Sequence, residues 1–384
     1  MDNFEKPRES CGIFGIYGHP EAAKLTYFGL YALQHRGQES CGIAVVVRGG
    51  NIVGHNGMGL VPDVFDITHL EHLEGESAIG HVRYSTTGSS ILSNAQPVVI
   101  HHRQKAYALA HNGNLVNAHH LKLDLVNAEL IRELDPGEIV IIGEHGIRSI
   151  KIPAPGTRAF CIFEFIYFAR PDSTIYGQNV YLTRKAHGRR LAQEAPVDAD
   201  LVMPFPDSGT YAALGYSEAS GIPFEMAMIR NHYVGRTFIQ PTQSMRDFGV
   251  RIKLNPVKKL LEGKDIIIIE DSIIRGTTVK TRVKALRELG VNRIHMRVSG
   301  PPHRYPCHYG IDFSTRGELI AANMSVENLK DFLDLDSLHY LSLDGLLKST
   351  GIQHPENHFC KACFDGCYPV EFDEYLSKHC LESR

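Results

Sequence analysis

The chain has 384 residues, 43% hydrophobic and 22% charged, with 35 Gly, 19 Pro, 8 Cys and no Trp. That length predicts two or three domains with their own cores, and the composition excludes disorder, collagen-like repeats and a short disulfide scaffold. Forty basic against 43 acidic residues leave a net charge of −3, so there is no large positive field for nonspecific binding to nucleic acid or an anionic membrane. Apolar runs such as Ile266 to Ile269 are far too short to span a bilayer. Met1 to Ser10 is charged and lacks an apolar centre, so it does not read as a secretory signal. These features predict a cytoplasmic protein, whose eight cysteines are metal ligands, catalytic groups or core residues rather than disulfides.

Taken in order, residues 11 to about 157 are rich in Gly, His and short β-like runs. Cys11-Gly12-Ile13-Phe14-Gly15-Ile16 reads as a strand behind the charged leader. A helix with Leu25, Phe28, Ala32 and Leu33 on one face leads into Gln34-His35-Arg36-Gly37-Gln38-Glu39-Ser40-Cys41-Gly42-Ile43-Ala44. Gly80-His81-Val82-Arg83-Tyr84-Ser85-Thr86-Thr87-Gly88 and His111-Asn112-Gly113-Asn114 follow. The pairs His101-His102 and His119-His120 read as solvated surface, because adjacent residues point different ways on a strand or helix. Two Pro and a Gly between Lys151 and Arg158 mark the join to a second half.

From 158 to about 350, apolar strands alternate with amphipathic helices, predicting an open parallel α/β sheet. Asp200 to Met203 is a strand, Pro206-Asp207-Ser208-Gly209 lies in the loop, Thr210 to Ser220 is a helix closed by Gly221, and Phe224 to Ile229 is the next strand. Asp265 to Ile269 is another strand. A helix with Val279, Val283, Leu286 and Leu289 at helical spacing then ends at Gly290, and Ile294, Met296 and Val298 alternate as a strand. Ligands of such sheets bind at the carboxyl ends of the strands. There the sequence places Glu270-Asp271-Ser272-Ile273-Ile274-Arg275-Gly276-Thr277-Thr278. Turn N–H groups and the two Thr hydroxyls suit a phosphate at the helix N-terminus. The adjacent acids suit ribose hydroxyls or Mg²⁺. The tail from 353 to 384 is polar and Cys-rich. Its Cys360-Lys361-Ala362-Cys363 has the spacing for two thiolates on one metal, compatible with zinc, a redox pair or chance.

The 270–278 stretch resembles the phosphoribosyl pyrophosphate loop of type I phosphoribosyltransferases. That resemblance implies that Glu270, Asp271, Ser272, Arg275, Gly276, Thr277 and Thr278 bind this substrate. It also implies that Ser208, Glu270 and Asp271 lie on the Mg²⁺ side. The segment from Arg230 to Pro241 resembles a lid that turns Arg236 and Gln240 towards anionic substrate. The four motifs of the first half resemble the glutaminase of N-terminal-nucleophile amidotransferases. Removal of a 1–10 propeptide would make Cys11 the nucleophile, with its own α-amine as general base. Asn112 and Gly113 would then be the oxyanion donors, and Arg83 the clamp on the glutamine α-carboxylate.

In this order the two lobes resemble the amidophosphoribosyltransferases. The implied fold is α+β then α/β: an αββα glutaminase sandwich at 11–157, a type I phosphoribosyltransferase domain at 158–350, and a Cys-rich element at 351–384. The implied reaction makes 5-phosphoribosylamine from phosphoribosyl pyrophosphate and glutamine, in the first step of purine biosynthesis. Purine nucleotide inhibitors and a homotetramer are implied with it. Cys161, Cys307, Cys360 and Cys363 match the ligands of a [4Fe–4S] cluster in one branch of the family. Zinc stays the alternative there. Cys367, four residues past Cys363, departs from the family pattern and complicates the metal assignment, and Cys41 and Cys380 are bystanders. One departure stands out. After about residue 123 the chain passes almost directly to Arg132-Glu133-Leu134-Asp135-Pro136-Gly137-Glu138, so several tens of residues of the sandwich are missing. Lost strands should leave exposed apolar faces and open edges. Two other readings follow: an ammonia-dependent transferase with an inactive glutaminase lobe, or a non-catalytic regulator that binds phosphoribosyl pyrophosphate.

Overall fold

The computed structural model describes residues 11–47, 49–84, 91–102, 105–110, 134–135, 137–143, 146–151, 159–230, 254–309, 311 and 316–369. They fall into two compact units. One holds the described residues of 7–158 with those of 307–314 and 369, and the other those of 159–306 and 315–368. Among the described residues no helix is long and apolar enough to cross a membrane.

In the amino-terminal unit, β1 (Gly12–Tyr17), β2 (Ser40–Val46), β3 (Ile52–Met58) and β4 (Ser77–Arg83) form an antiparallel sheet in the order β1-β4-β2-β3. Helix α1 (Ala22–Ala32) covers it, but not with the face expected from the sequence. Phe28 is exposed, and the buried stripe is Ala22, Ala23, Thr26, Gly29, Leu30 and the following Leu33. Small residues decide the contact. A Cβ on Gly29 would lie 2.4 Å from the Phe14 ring, so only Gly lets the helix sit this close to β1. Two hairpins follow, β5–β6 (Val98–His102 with Lys105–Leu109) and β7–β8 (Glu138–Gly143 with Gly146–Lys151), and each is a two-stranded sheet of its own. Strand alternation gives β5–β6 two faces. Val99 on one faces β3 near Gly54, while Val98, Ile100, Tyr107 and Leu109 on the other are all exposed. Ile139, Ile141 and Ile150 make a similar exposed patch on β7–β8. These are the uncovered apolar faces expected of a shortened sandwich.

The second unit is built on four parallel strands in the order β10-β11-β12-β13: Leu201–Pro204, Asp265–Glu270, Arg293–Val298 and Ser337–Tyr340. Before them come β9 (Phe160–Cys161), a tight turn over Glu164–Phe168, and α2 (Val180–Glu194). Helix α3 (Thr210–Ser220) follows β10, and α4 (Thr277–Glu288) follows β11. Ile266 to Ile269 are fully buried, each contributing about 1.5–3 kcal/mol by removal from water. Gly221 closes α3 at φ +74, as expected. One expectation is corrected. Met228–Arg230 pairs antiparallel with Leu254–Pro256, and Phe224 makes only an isolated bridge to Val202, so 224–229 is not one continuous sheet strand. In β12 the alternating Ile294, Met296 and Val298 are buried, as expected. His295 and Arg297 are buried as well, because the strand is covered on both sides. Arg297 is accommodated by donating to the carbonyls of Ala195 and Met296 and to Ser337 Oγ, at 2.8–3.0 Å. Finally β14 (Phe359–Cys360) pairs in parallel with β9.

Candidate active sites

The first candidate site lies at one end of the antiparallel sheet. Gly12 is opposite Val82 and Arg83 is opposite Ser40, which brings Cys11, Arg83 and Glu39 to the same edge. Cys11 is buried, with its Sγ 3.3 Å from the Tyr84 carbonyl and accepting the Tyr84 N–H at 3.4 Å. Its own carbonyl accepts from Arg36 Nε at 3.4 Å. Burial pushes the thiol above its ordinary pKa, against opposing hydrogen bonds and the Arg83 charge. While residues 1–10 remain attached, the Cys11 nitrogen is an amide and has no basic lone pair. The Arg83 guanidinium is buried and lies 3.8 Å from Glu39 Oε2, so any incoming carboxylate shares it with an acid already in place. The sequence quoted Glu39 only as part of a motif, and nothing in its spacing signalled this pairing. Asn112 and Gly113 lie outside the described residues. Cys41 is fully buried, and burial pushes its thiol up to about 12, as befits a core residue.

The second candidate site lies at the carboxyl end of β11. Glu270 ends the strand with its Oε2 3.5 Å from Arg282 Nη1, and its Oε1 accepts the Asp271 N–H at 3.3 Å. Asp271 is fully buried and accepts the Ser272 hydroxyl. Gly276 stands at φ +80 directly before α4, which has no side-chain cap. The first-turn N–H groups of a helix have no carbonyl partner within it, which suits its N-terminus to an anion. Arg275 pairs with Glu318 at 3.0 Å and is only partly exposed. On the neighbouring strand, Ser208 belongs to the 206–209 loop, where Asp207 pairs with Arg230. Gly209 sits so tightly that a Cβ would lie 2.2 Å from the Ile269 carbonyl oxygen. Parallel pairing of Leu201 with Ile266 through Pro204 with Ile269 sets the two loops side by side. Arg236 and Gln240 lie outside the described residues. The sequence reading missed Arg282, which lies over the Phe205 ring at 4.9 Å while pairing with Glu270. A single Arg in a helical pattern carries no signal of such a role.

Cys161, Cys360 and Cys363 belong to the second unit, and Cys307 to the first. Cys161 and Cys360 are direct register partners in the β9–β14 pair. Cys363 follows in a short helix, Ala362–Asp365, and its carbonyl accepts the N–H groups of Arg304 and Tyr305. Cys307 follows Pro306, whose carbonyl accepts the Tyr368 hydroxyl at 2.7 Å. Thiolates are soft donors of the kind that takes iron–sulfur or zinc. Among the described residues, however, no three His, Cys, Asp or Glu groups are gathered closely enough to hold a metal ion. None of the seven described cysteines is in a disulfide. At the acid loop, the carboxylates of Glu270 and Asp271 and the Ser208 hydroxyl are hard oxygen donors suited to Mg²⁺.

An amidophosphoribosyltransferase from Synechocystis sp. is 43% identical to this chain, covering 99% of it and 95% of its own length. This chain belongs to the amidophosphoribosyltransferase family. A chloroplastic amidophosphoribosyltransferase from Glycine max is 40% identical, covering 98% of this chain and 81% of its own. The solved glutamine phosphoribosylpyrophosphate amidotransferase of B. subtilis, complexed with ADP and GMP, superposes with a TM-score of 0.87 at 37% identity, over 96% of this chain and 99% of its own. No family model matches the chain. The fold is thus an N-terminal-nucleophile glutaminase joined to a type I phosphoribosyltransferase, as expected, and the chain is a glycosyltransferase and glutamine amidotransferase by family. Its departure from the family is also visible. The Synechocystis alignment runs over 473 residues, whereas this chain has 384, so part of that amidophosphoribosyltransferase has no counterpart here.

Proposed function

We propose that this chain makes 5-phosphoribosylamine, glutamate and pyrophosphate from phosphoribosyl pyrophosphate, glutamine and water. The observation that carries the reading is the acid loop at the end of β11, where Gly276 opens an uncapped helix N-terminus beside two buried carboxylates. The N–H groups of Thr277 and Thr278, and their hydroxyls, bind the 5-phosphate. Asp271 and Glu270 face the ribose and stabilise the positive charge that develops on the ring as pyrophosphate departs. Arg275, Ser272 and Arg236 add donors around the anionic substrate. Mg²⁺, held from the side of Ser208, Glu270 and Asp271, would supply charge neutralisation on pyrophosphate.

In the other unit, cleavage after Ser10 exposes the α-amine of Cys11, with a reference pKa of about 7.7–8.0, as the base for its own thiol. The sulfur attacks the glutamine carboxamide and the amine passes its proton to the leaving ammonia. Water then cleaves the thioester to glutamate and regenerates the thiol. Asn112 and Gly113 donate to the oxyanion, and Arg83 holds the α-carboxylate. Cys161, Cys307, Cys360 and Cys363 hold a [4Fe–4S] cluster that staples chain segments together. The register pairing of Cys161 with Cys360 supports that donor set. The protein is cytoplasmic and a homotetramer. Purine nucleotides inhibit it, a reading supported by the ADP and GMP of the B. subtilis structure.

The test is pyrophosphate release by anaerobically purified protein, with glutamine or with ammonium as nitrogen donor. Release with both donors supports the full reaction, and release with neither sinks it. Iron, sulfide and zinc analysis of the same sample decides the metal. One specific observation favours a second reading. The exposed faces of β5–β6 and β7–β8, together with the shortened alignment, point to a lobe that has lost its glutaminase activity. Release with ammonium alone would establish that reading.

A further inference from the structure

The chemistry above does not use the buried cation Arg184. Arg184, on α2, is 4% exposed. Its Nε donates to the Phe165 carbonyl at 2.8 Å, and its Nη2 donates to the carbonyls of Ala169 at 2.8 Å and Glu164 at 3.3 Å. All three acceptors belong to the Glu164–Phe168 turn or the residue that follows it. Burying a guanidinium is costly, and an apolar side chain of similar volume usually serves stability as well or better. Burial pushes the Arg184 pKa down to about 10, and Asp271 is foremost among the groups that hold it up. The guanidinium is therefore charged at neutral pH and within electrostatic reach of the acid loop.

The turn that Arg184 holds also packs on that loop. A Cβ built on Gly300 would meet the Asp271 carbonyl oxygen at 3.0 Å and Ile166 Cδ1 at 3.3 Å. Ile166 comes from the middle of the turn and is buried. Gly300 is thus closed in by Asp271 and by Ile166. Next to it, the Ser299 N–H donates to the Glu270 carbonyl at 2.8 Å. A continuous packed path runs from Arg184 through the turn and Ile166 to Gly300 and Asp271.

We infer that Arg184 is a positioning residue for the phosphoribosyl pyrophosphate site: it locks the 164–168 turn, which sets the position of Asp271, and keeps a positive charge near that carboxylate. The inference rests on reading the Asp271 loop as the site for this substrate. Arg184 touches no reacting atom, so its effect on binding and on the reaction passes through the position of Asp271.

The test compares wild-type protein with Arg184→Met, Arg184→Lys and Ile166→Val in ammonium-dependent pyrophosphate release, titrating phosphoribosyl pyrophosphate with Mg²⁺ present. Ile166→Val removes only the Cδ1 methyl that reaches Gly300, a small change expected to leave the unit folded. Arg184→Met should raise KM for the substrate about tenfold to a hundredfold and lower kcat with it, because the displaced carboxylate also acts in the transition state. Arg184→Lys keeps the charge but not the planar fork and should recover part of that loss. Ile166→Val should raise KM about two- to fivefold, with the unfolding midpoint near that of the wild type. If Arg184→Met does not fold, the Lys and Val variants decide. KM values for both within about twofold of wild type would overturn the positioning role. Wild-type protein that neither binds nor consumes phosphoribosyl pyrophosphate would overturn the functional reading, and the inference with it.

Discussion

Gly209→Ala is the sharpest test of how closely the two substrate loops are set. Gly209 has an ordinary helical backbone, φ −73 and ψ −13, so an Ala there carries no conformational penalty and should even reduce the freedom of the unfolded chain. The cost is steric. The new Cβ would lie 2.2 Å from the Ile269 carbonyl oxygen and 3.1 Å from that of Phe205. A relaxed carbon–oxygen contact is about 3.3–3.6 Å, so Ile269 and Gly209 must separate by roughly 1 Å. The Ile269 oxygen also accepts the Phe205 N–H at 2.9 Å, and that bond is strained or lost. Overpacking at about 1–3 kcal/mol and a weakened buried hydrogen bond at about 1–2 kcal/mol give a loss of about 2–5 kcal/mol. For a unit of this size that lowers the unfolding midpoint by about 5–15 °C. Ile269 directly precedes Glu270, so the same shift moves the acids away from the 206–209 loop. Misplacement of about 1 Å at a reacting centre costs about a hundredfold in rate. The assay is ammonium-dependent pyrophosphate release at saturating substrate, beside a thermal melt. A variant with kcat within about twofold of wild type and an unshifted melt would show that the loops are not locked together by this contact.

Cys11→Ala should abolish glutamine-dependent pyrophosphate release while leaving ammonium-dependent release within about twofold, measured on one preparation. His187 is fully buried, and burial, with the nearby Arg184 charge, pushes its pKa down to about 3. The unfolded chain therefore binds a proton that the folded one does not, from about pH 6.5 down to 3, and stability falls by about 1.4 kcal/mol per pH unit across that window. His187→Leu should flatten the urea-midpoint profile between pH 7 and pH 5, and an unchanged slope would count against it. The exposed face of β5–β6 should bind an environment-sensitive apolar dye, and Tyr107→Lys with Leu109→Lys should lower that signal without altering ammonium-dependent activity.

What the sequence revealed and what it hid separate along physical lines. Local signals were legible. Four Ile ending in two acids gave a central parallel strand with its loop at the carboxyl edge, and Gly221 marked the end of α3 to the residue. Long-range packing was not. Phe28 was read as part of the buried face of α1, because apolar size suggests burial. The helix is instead held by Gly29 closing on Phe14, a contact between residues far apart in the chain. The alternation of Ile294, Met296 and Val298 likewise carries no sign that His295 and Arg297 between them are buried too. At the sites, Cys11, Arg83, Glu270 and Asp271 were found through motif resemblance. Glu39, Arg184 and Arg282 act through partners that only the fold brings near, and no spacing rule announces them.

The uneven state of the two units bears on which half-reaction is at risk. The phosphoribosyltransferase unit is built on a four-stranded parallel sheet, and Ile266 to Ile269 lie fully buried at its centre. Both of its substrate loops hang from paired neighbouring strands, so their geometry depends on that core alone. The glutaminase unit keeps the sheet that aligns Cys11 with Arg83, but its two hairpins stand as separate two-stranded sheets with apolar faces uncovered. A hairpin has little stability without a partner layer. This loss of support falls on the glutaminase unit and not on the parallel sheet of the other unit. The chemistry it endangers is the delivery of ammonia, and not its transfer to ribose.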